Sequence, residues 1–173
     1  QSLVNAYWNR NGTTFTPVTP ASRASNFNDG NPNAAFYAEF KNRDTRLYAS
    51  VLFPSATWNR YSDGFTFSWK SGVNNNNSKT GYNFRKLADP AYVTTEWDGA
   101  QDFPIIRYAE ILLAYAEAKN EVGGPDGSIY SALNDIRDRA GMPAVDQSVY
   151  NTKDKLRDLI RNERRIELAG EGQ

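Results

Sequence analysis

The sequence predicts a mainly α fold with a large irregular part, and two observations lead to that prediction. From Phe103 onward, apolar residues recur with the 3.6-residue period of amphipathic helices. Before Phe103, no helical period persists, and short aromatic and β-branched runs alternate with Gly, Pro, Asn and Asp turn signals. A chain of 173 residues suits one domain with its own core. We therefore expect a single domain, 1–173, with an irregular aromatic-rich loop region at 1–102 and a three-helix region at 103–173.

The loop region is expected to contain only a few short strands or helical turns. Its aromatic and β-branched runs, at 48–53 and 65–69, are short and are bounded by turn-forming residues. All four tryptophans of the chain lie in this region. Large aromatic side chains dominate burial in irregular domains, so these rings are candidates for its core as well as for a binding site.

The first predicted helix begins near Pro104, which suits a first helical turn, and ends near Gly123-Gly124-Pro125. A set of its side chains falls at i, i+3, i+4, i+7 spacing and is expected to face the core. This set is Ile105, Tyr108, Ala109, Leu112, Tyr115 and Ala116.

Two further helices are expected after it. One starts at the cap Asp126-Gly127-Ser128 and ends before Gly141, and the other starts near Thr152 or Lys153. Their expected core-facing side chains are Ile129, Leu133, Ile136 and Ala140, then Leu156, Leu159, Ile160 and Ile166. The short turn between the first two helices makes them antiparallel, and a hairpin with a third helix packed across it resembles a tetratricopeptide-like unit.

Composition excludes several classes of function. Lysine plus arginine and aspartate plus glutamate each number 20 and are mixed along the chain, so there is no basic stripe for nucleic acid. Because cysteine and histidine are absent, thiol nucleophiles, catalytic histidines and the usual zinc ligands are excluded. No apolar run approaches the roughly 18 residues of a membrane span. We expect no catalytic residue, no metal and no cofactor.

Three motifs follow one another in the helical region. They are RYAEILL at 107–113 with YAEA at 115–118, NxxRxRAG at 134–141, and ERRxELAxEG at 163–172. In this order they resemble the C-terminal region of the SusD/RagB family, and the segments 1–7, 42–48 and 80–86 agree with the usual order in that family. Thr45 stands where the family usually has proline, and Gly170 stands where it usually has an aromatic residue.

The resemblance implies a SusD-like fold and a non-catalytic role in nutrient uptake by Bacteroidetes. The expected ligand is an oligosaccharide or polysaccharide, and the expected partner is a SusC-like TonB-dependent transporter in the outer membrane. The expected location is the extracellular face of that membrane, with a lipid anchor outside this chain. The family proteins begin much earlier, with a lipidated cysteine and tetratricopeptide helices, so the chain is expected to be a fragment.

The charged residues of the motifs are expected to hold helices together. Arginine pairs bidentately with carboxylates, and at partly buried helix junctions such pairs fix the packing geometry. The predicted network consists of Glu110, Glu117, Arg137, Arg139, Glu163, Arg164 and Glu167.

Glycan binding is expected in the aromatic loops. Sugar rings have apolar C–H faces flanked by hydroxyls, so a neutral glycan site needs tryptophan or tyrosine platforms beside polar side chains. Polar neighbours are densest around Trp8 and around Trp58. The candidate glycan-binding residues are Trp8, Asn9, Trp58, Tyr61, Trp69 and Trp97.

Two other functions stay open from the residues alone. The helices would suffice for a protein-interaction scaffold without glycan binding. A glycosidase would need two carboxylates at a catalytic separation, for which Asp63 and Asp98 are the candidates.

Overall fold

The computed structural model describes residues 2–58, 65–70, 78, 80–88 and 102–172, with the backbone alone at 58, 65 and 66. The chain divides into two compact units. One, here called the aromatic unit, comprises 16–41 and 48–103. The other, the helical unit, comprises 2–15, 42–47 and 104–173. Two segments before Phe103 thus belong with the helices, and the expectation that 1–173 form one domain stays a prediction.

The predicted mainly α fold with a few short strands is confirmed. In chain order the elements are α1 (Ser2–Ala6), α2 (Pro20–Phe27), a 3-10 helix (Asn28–Gly30), α3 (Ala34–Ala38), α4 (Thr45–Ser50), β1 (Val51–Leu52), β2 (Thr57–Trp58), β3 (Phe65–Thr66), β4 (Asn83–Phe84), α5 (Tyr108–Gly123), α6 (Gly127–Arg139) and α7 (Lys153–Glu167). Strand β1 pairs antiparallel with β4, and β2 pairs antiparallel with β3. Each pairing spans only two residues, so side-chain packing holds this part of the chain together.

The helical unit is built around α5, which packs against both α6 and α7. Asp126 caps α6 by accepting a hydrogen bond from the Ser128 amide, and Thr152 caps α7 by accepting one from the Lys155 amide. Both starts confirm the predictions. All the predicted core-facing side chains of these two helices are buried, because the apolar stripe of each amphipathic helix faces the neighbouring helices.

The predicted core-facing stripe of the first helix is wrong in part. The helix begins at Tyr108, not near Pro104, and Arg107 before it has extended backbone angles. Ile105 is 81% exposed and Tyr108 73% exposed, and Tyr115 is exposed as well. The buried side chains are Leu113, Ala116 and Asn120, with Ala109 and Leu112 partly buried. Helix α5 carries apolar residues on two opposite faces, so periodicity alone could not tell which face meets α6 and α7.

A buried network of charged side chains joins the helices of the helical unit. One Glu163 oxygen accepts a hydrogen bond from Arg137 at 2.5 Å, and the other accepts one from Arg46 at 2.8 Å. Glu167 accepts hydrogen bonds from Arg46, from Arg107 at 2.6 Å and from Arg139. The predicted places of Arg137, Arg139, Glu163 and Glu167 in a network are therefore confirmed.

Of the other three members, Glu117 and Arg164 form an ion pair of their own, and Glu110 does not belong to the network. Glu117 lies 3.5 Å from the Nε atom of Arg164, and both side chains are partly exposed. Glu110 forms no ion pair with any residue in the described ranges, so its assignment to the network is wrong. Arg107, three residues before Glu110, binds Glu167 and Glu171 instead. The pairing of Arg107 was thus set by tertiary contact and not by its i, i+3 neighbour.

Burial acts against the charged form of Arg46 and Arg107, yet the carboxylate partners of these two arginines outweigh it. Burial lowers the pKa of Arg46, but hydrogen bonding and charge attraction from Asp44 and Glu163 raise it above its ordinary value. The pKa of Arg107 is raised in the same way by Glu171 and Glu167. Arg46 and Arg107 therefore stay charged, and their ion pairs with the buried carboxylates hold the helices in fixed positions.

Candidate functional site

A cleft of about 360 Å³ lies within the aromatic unit and contains one of the predicted site residues, Trp69. It is called the Trp69 cleft here. Its lining is Pro20, Arg23, Ala24, Phe27, Phe36, Trp69, Thr80, Gly81 and Tyr82. The lining is mainly apolar and aromatic with a few polar groups at the edge, which is the usual composition of a small-molecule pocket.

The Trp69 ring is fixed at its polar end and partly exposed. Its indole nitrogen donates a hydrogen bond to the Ser78 carbonyl oxygen at 2.6 Å. The ring of Phe27 packs against it, with the ring centres 5.4 Å apart and tilted by 48°. Because the indole N–H is already satisfied, the cleft presents the apolar surface of the ring.

The turn after α2 lies close to the backbone of Trp69. Asn28, Asp29 and Gly30 all have positive φ angles, of 44°, 44° and 87°. A Cβ atom at Gly30 would lie 2.5 Å from the carbonyl oxygen of Trp69, so a glycine is required both by the backbone angle and by the close approach.

A buried ion pair supports one wall of the cleft. Arg23 on α2 donates hydrogen bonds to Glu39, through its Nε atom at 2.9 Å and through a second, shorter contact. Both side chains are almost fully buried. Such a pair fixes the position of α2 relative to the segment after α3, and with it the position of Phe27.

The polar groups at the cleft suit hydrogen bonding and do not suit catalysis. The Thr80 hydroxyl is exposed and lies 2.8 Å from the Ser78 hydroxyl. None of the described residues that line the cleft is a carboxylate. Glycoside hydrolysis in its usual form needs a pair of carboxylates across the bond, so this lining favours binding over cleavage.

A second cleft, of about 590 Å³, lies within the helical unit beside Trp8. It is lined by Trp8, Asn11, Gly12, Thr13, Thr14, Arg137, Pro143, Ala144, Val145, Asp146, Val149, Tyr150 and Leu159. Trp8 itself is only 9% exposed and belongs to the hydrophobic core of the unit. Its ring stacks on Tyr150 at 6.0 Å between centres, and the Arg137 guanidinium lies 5.3 Å from its centre.

The surroundings of Trp8 leave little of its ring for a ligand. Asn9, its predicted polar companion, donates its side-chain amide to the Thr13 hydroxyl at 2.9 Å and to the Thr14 carbonyl. Burial raises the pKa of the half-buried Tyr150 hydroxyl. In this cleft Tyr150, which the sequence did not single out, presents more surface than Trp8.

The remaining predicted residues are not brought to either cleft. The backbone of Trp58 pairs with Phe65 in the β2–β3 ladder, and its side chain lies outside the described residues. Tyr61 and Trp97 lie outside them too, as do Asp63 and Asp98, the carboxylates of the glycosidase alternative. The glycan-binding assignments for all six candidate residues stay predictions.

Sequence reasoning missed Phe27, Phe36 and Tyr82, which the structure places around Trp69. Their positions depend on the left-handed turn at 28–30, and one signal for it was present in Asn28-Asp29-Gly30, three residues that tolerate positive φ.

Over the described ranges, no helix is both long and apolar enough to cross a membrane, and no group of acidic residues is placed to hold a metal ion.

Known proteins resemble this chain, one of them over nearly its whole length. A solved SusD-like protein from Bacteroides fragilis is 31% identical and superposes with a TM-score of 0.78, over 98% of this chain and 33% of that one. The SusD-like protein P38 of Formosa agariphila is 40% identical over 74 residues, which are 39% of this chain and 14% of that protein. The SusD-like protein P2 of the same organism is 27% identical over 155 residues, covering 81% of this chain and 28% of that protein.

This chain therefore corresponds to a minor part of each of these relatives. The sequence pattern of the SusD family matches residues 1–173, the full length of the chain. Together with the shared fold and the three ordered motifs, this match confirms the resemblance to SusD/RagB proteins: the chain belongs to the SusD family.

Proposed function

We propose that this protein binds glycans through the Trp69 cleft, without cleaving them, as a step in nutrient import at the cell surface. Membership of the SusD family supports a glycan-binding role in general. The composition of the Trp69 cleft is the single observation that supports locating glycan binding there. It combines a fixed, partly exposed indole ring with flanking hydroxyl groups, and sugar rings need both.

The size and chemistry of the cleft favour one or two sugar residues at the end or along the side of a chain. Trp69 supplies an apolar face for the C–H groups of a sugar ring. Thr80 and the backbone groups around Gly81 provide polar atoms at the rim. Of the three rings beside Trp69, Tyr82 also carries a hydroxyl.

The wider role rests on the family alone. The proposed partner is a SusC-like TonB-dependent transporter of the outer membrane, which would receive the bound oligosaccharide. The proposed location is the extracellular face of that membrane, through a lipid anchor outside this chain. Because SusD-like proteins are binding proteins by family and none of the described lining residues is a carboxylate, we propose no enzymatic step.

The proposal is tested by affinity electrophoresis of the chain through gels containing starch, fructans, mucin glycans or N-glycans. We expect retardation by at least one polysaccharide, and Trp69→Ala should weaken it by about tenfold or more, as loss of a central aromatic contact usually does. Trp69→Phe retains a smaller ring and should give an intermediate affinity, which guards against a general packing defect in Trp69→Ala.

The matched control is Tyr115→Ala, which removes an exposed aromatic ring on α5 in the other unit. It should migrate as the wild type does. Equal retardation of the Trp69 and Tyr115 variants would contradict the assigned cleft. Release of sugar products would instead support an enzyme, and absence of binding to the whole panel would support the scaffold alternative.

A further inference from the structure

Three arginines surround a cleft at the C-terminal end of α7 in the helical unit. This cleft, of about 320 Å³, is called the arginine cleft and is lined by Glu117, Arg161, Arg164, Arg165, Leu168, Ala169 and Gly170. Three guanidinium groups and one carboxylate give its walls a formal charge of +2. The whole chain has a formal net charge of zero, so this cleft concentrates positive charge locally.

The spacing of these arginines works against the helix that carries them. Arg161 and Arg165 are i, i+4 neighbours, and Arg161 and Arg164 are i, i+3 neighbours. Side chains at these spacings lie side by side on a helix, and like charges there are destabilising. An anion bound between the guanidinium groups would reduce this repulsion.

The arginines have few partners of their own. Arg164 lies 3.5 Å from Glu117, and Arg165 donates one hydrogen bond to the Ser2 hydroxyl at 2.9 Å. Within the described ranges, the Arg161 guanidinium has no hydrogen-bond or ion-pair partner. Each guanidinium has five N–H donors, so most of the donors at this cleft have no partner among the described residues and can bind a ligand or water.

Interaction with the helix dipole explains only part of the cluster. Arg164 and Arg165 lie in the last turn of α7, where positive side chains offset the partial negative charge of the helix end. Arg161 lies a turn before them, beyond the reach of that effect. Its presence at the same cleft needs another reason.

We propose that the arginine cleft binds a dianionic oxyanion, a sulfate or phosphate group, either as a free ion or as an ester on a larger molecule. Guanidinium groups bind such groups through paired N–H donors, and a dianion matches the +2 charge of the walls. This site is separate from the Trp69 cleft in its residues and does not depend on glycan binding there.

The test measures the thermal unfolding midpoint of the chain as sodium sulfate is added, with sodium chloride holding the ionic strength constant. A ligand that binds only the folded state raises this midpoint with a concentration dependence that gives an apparent dissociation constant. Arg161→Gln should raise this dissociation constant by about tenfold, the usual effect of losing a charged hydrogen-bond pair. Arg165→Gln should raise it as well.

The matched control is Lys155→Gln, which removes one positive charge from the same helix at an exposed position outside the cleft. It should leave the sulfate dependence unchanged. Sulfate also stabilises proteins by exclusion from their surface. An equal response of wild type, Arg161→Gln and Lys155→Gln would identify that effect and overturn the proposal.

The source of the oxyanion is separated by comparing three probes: inorganic sulfate, glucose 6-sulfate and glucose. Stabilisation by both sulfated probes and not by glucose indicates a site for the oxyanion itself. Stabilisation by glucose 6-sulfate alone indicates a site for a sulfate ester. Failure of both sulfated probes to stabilise the wild type overturns the proposal, whatever the outcome at the Trp69 cleft.

Discussion

Glu163 shows most directly what the charged residues of the family motif do. Its side chain is 1% exposed and binds Arg137 with one oxygen and Arg46 with the other. Burying two guanidinium groups is costly unless a carboxylate lies between them. The residue therefore acts on the stability of the helical unit, as the sequence predicted for this motif.

Replacing that carboxylate gives a prediction for stability. Glu163→Gln keeps the shape of the side chain but leaves Arg137 and Arg46 buried without their full counter-charge, and we expect a loss of about 3–5 kcal/mol in the free energy of unfolding. Urea denaturation measures this change. Glu117→Gln is the control, since Glu117 and its partner are partly exposed, and it should change the same quantity by only about 0.5 kcal/mol. Equal effects would contradict the network.

Adding a Cβ atom at Gly30 tests the packing around the Trp69 cleft. Gly30→Ala places a methyl group against the Trp69 carbonyl oxygen and forces a positive φ on a residue with a side chain. We expect a loss of about 1–3 kcal/mol in unfolding free energy together with a change in Trp69 fluorescence. Gly127→Ala is the control because a Cβ atom there meets nothing within 4 Å. Unchanged fluorescence in Gly30→Ala would contradict the close approach.

At the scale of elements, the starts and core faces of α6 and α7 followed the sequence, while the start and the buried face of α5 did not. Asp126 and Thr152 carry local capping chemistry, so the starts of α6 and α7 were predictable from neighbouring residues alone. In α5, Tyr108, Ile111 and Tyr115 are exposed while Leu113 and Ala116 are buried, and only packing against other helices decides between these apolar faces. Periodicity predicts that a face is apolar and does not predict what covers it.

The two faces of α5 differ in their expected contribution to stability. Leu113→Ala opens a cavity among α5, α6 and α7 and should lower the unfolding free energy by about 2–5 kcal/mol. Ile111→Ala, two residues away on the exposed side, should change it by only about 0.5 kcal/mol. Chemical denaturation of both variants measures the difference, and a larger effect of Ile111→Ala would contradict the orientation of the helix.

The cap of α6 gives a prediction for the pH dependence of stability. The Lys119 ammonium and then the Ser128 side chain and amide lower the pKa of Asp126 below its ordinary value. A carboxyl with a lowered pKa in the folded state contributes stability above its unfolded pKa of about 4, and this contribution is lost as pH falls through the folded value. Thermal unfolding should therefore show wild type losing more stability than Asp126→Asn in that acid range.

Asparagine keeps the capping acceptor, so the difference reports the charge. Asp135→Asn serves as the control, because Asp135 is exposed on the same helix and has no ion pair among the described residues. If Asp135→Asn and Asp126→Asn reduced the acid-induced loss of stability equally, this would contradict the assignment of that loss to the Asp126–Lys119 pair.

At the scale of the whole molecule, the family and the mainly α fold were predictable because they depend on motifs local in sequence. The Trp69 cleft was only half predictable. Trp69 stood out by its residue type, whereas its companions Phe27 and Tyr82 come from distant segments that meet through backbone turns. Trp8 has more polar neighbours in sequence than Trp69, yet most of its ring is buried in the core of the helical unit.

The two units therefore have different proposed roles. The helical unit carries the charged motifs that identify the family, and these motifs hold helices together. The aromatic unit carries the cleft proposed to bind glycan. Changes in the first should act on folding, and changes in the second should act on binding.

The most direct test is the glycan affinity of Glu163→Gln beside that of Trp69→Ala, measured by isothermal titration below both unfolding midpoints. We predict that folded Glu163→Gln keeps wild-type affinity while Trp69→Ala loses it. Wild-type affinity in Trp69→Ala together with loss of affinity in fully folded Glu163→Gln would contradict the assignment of glycan binding to the Trp69 cleft.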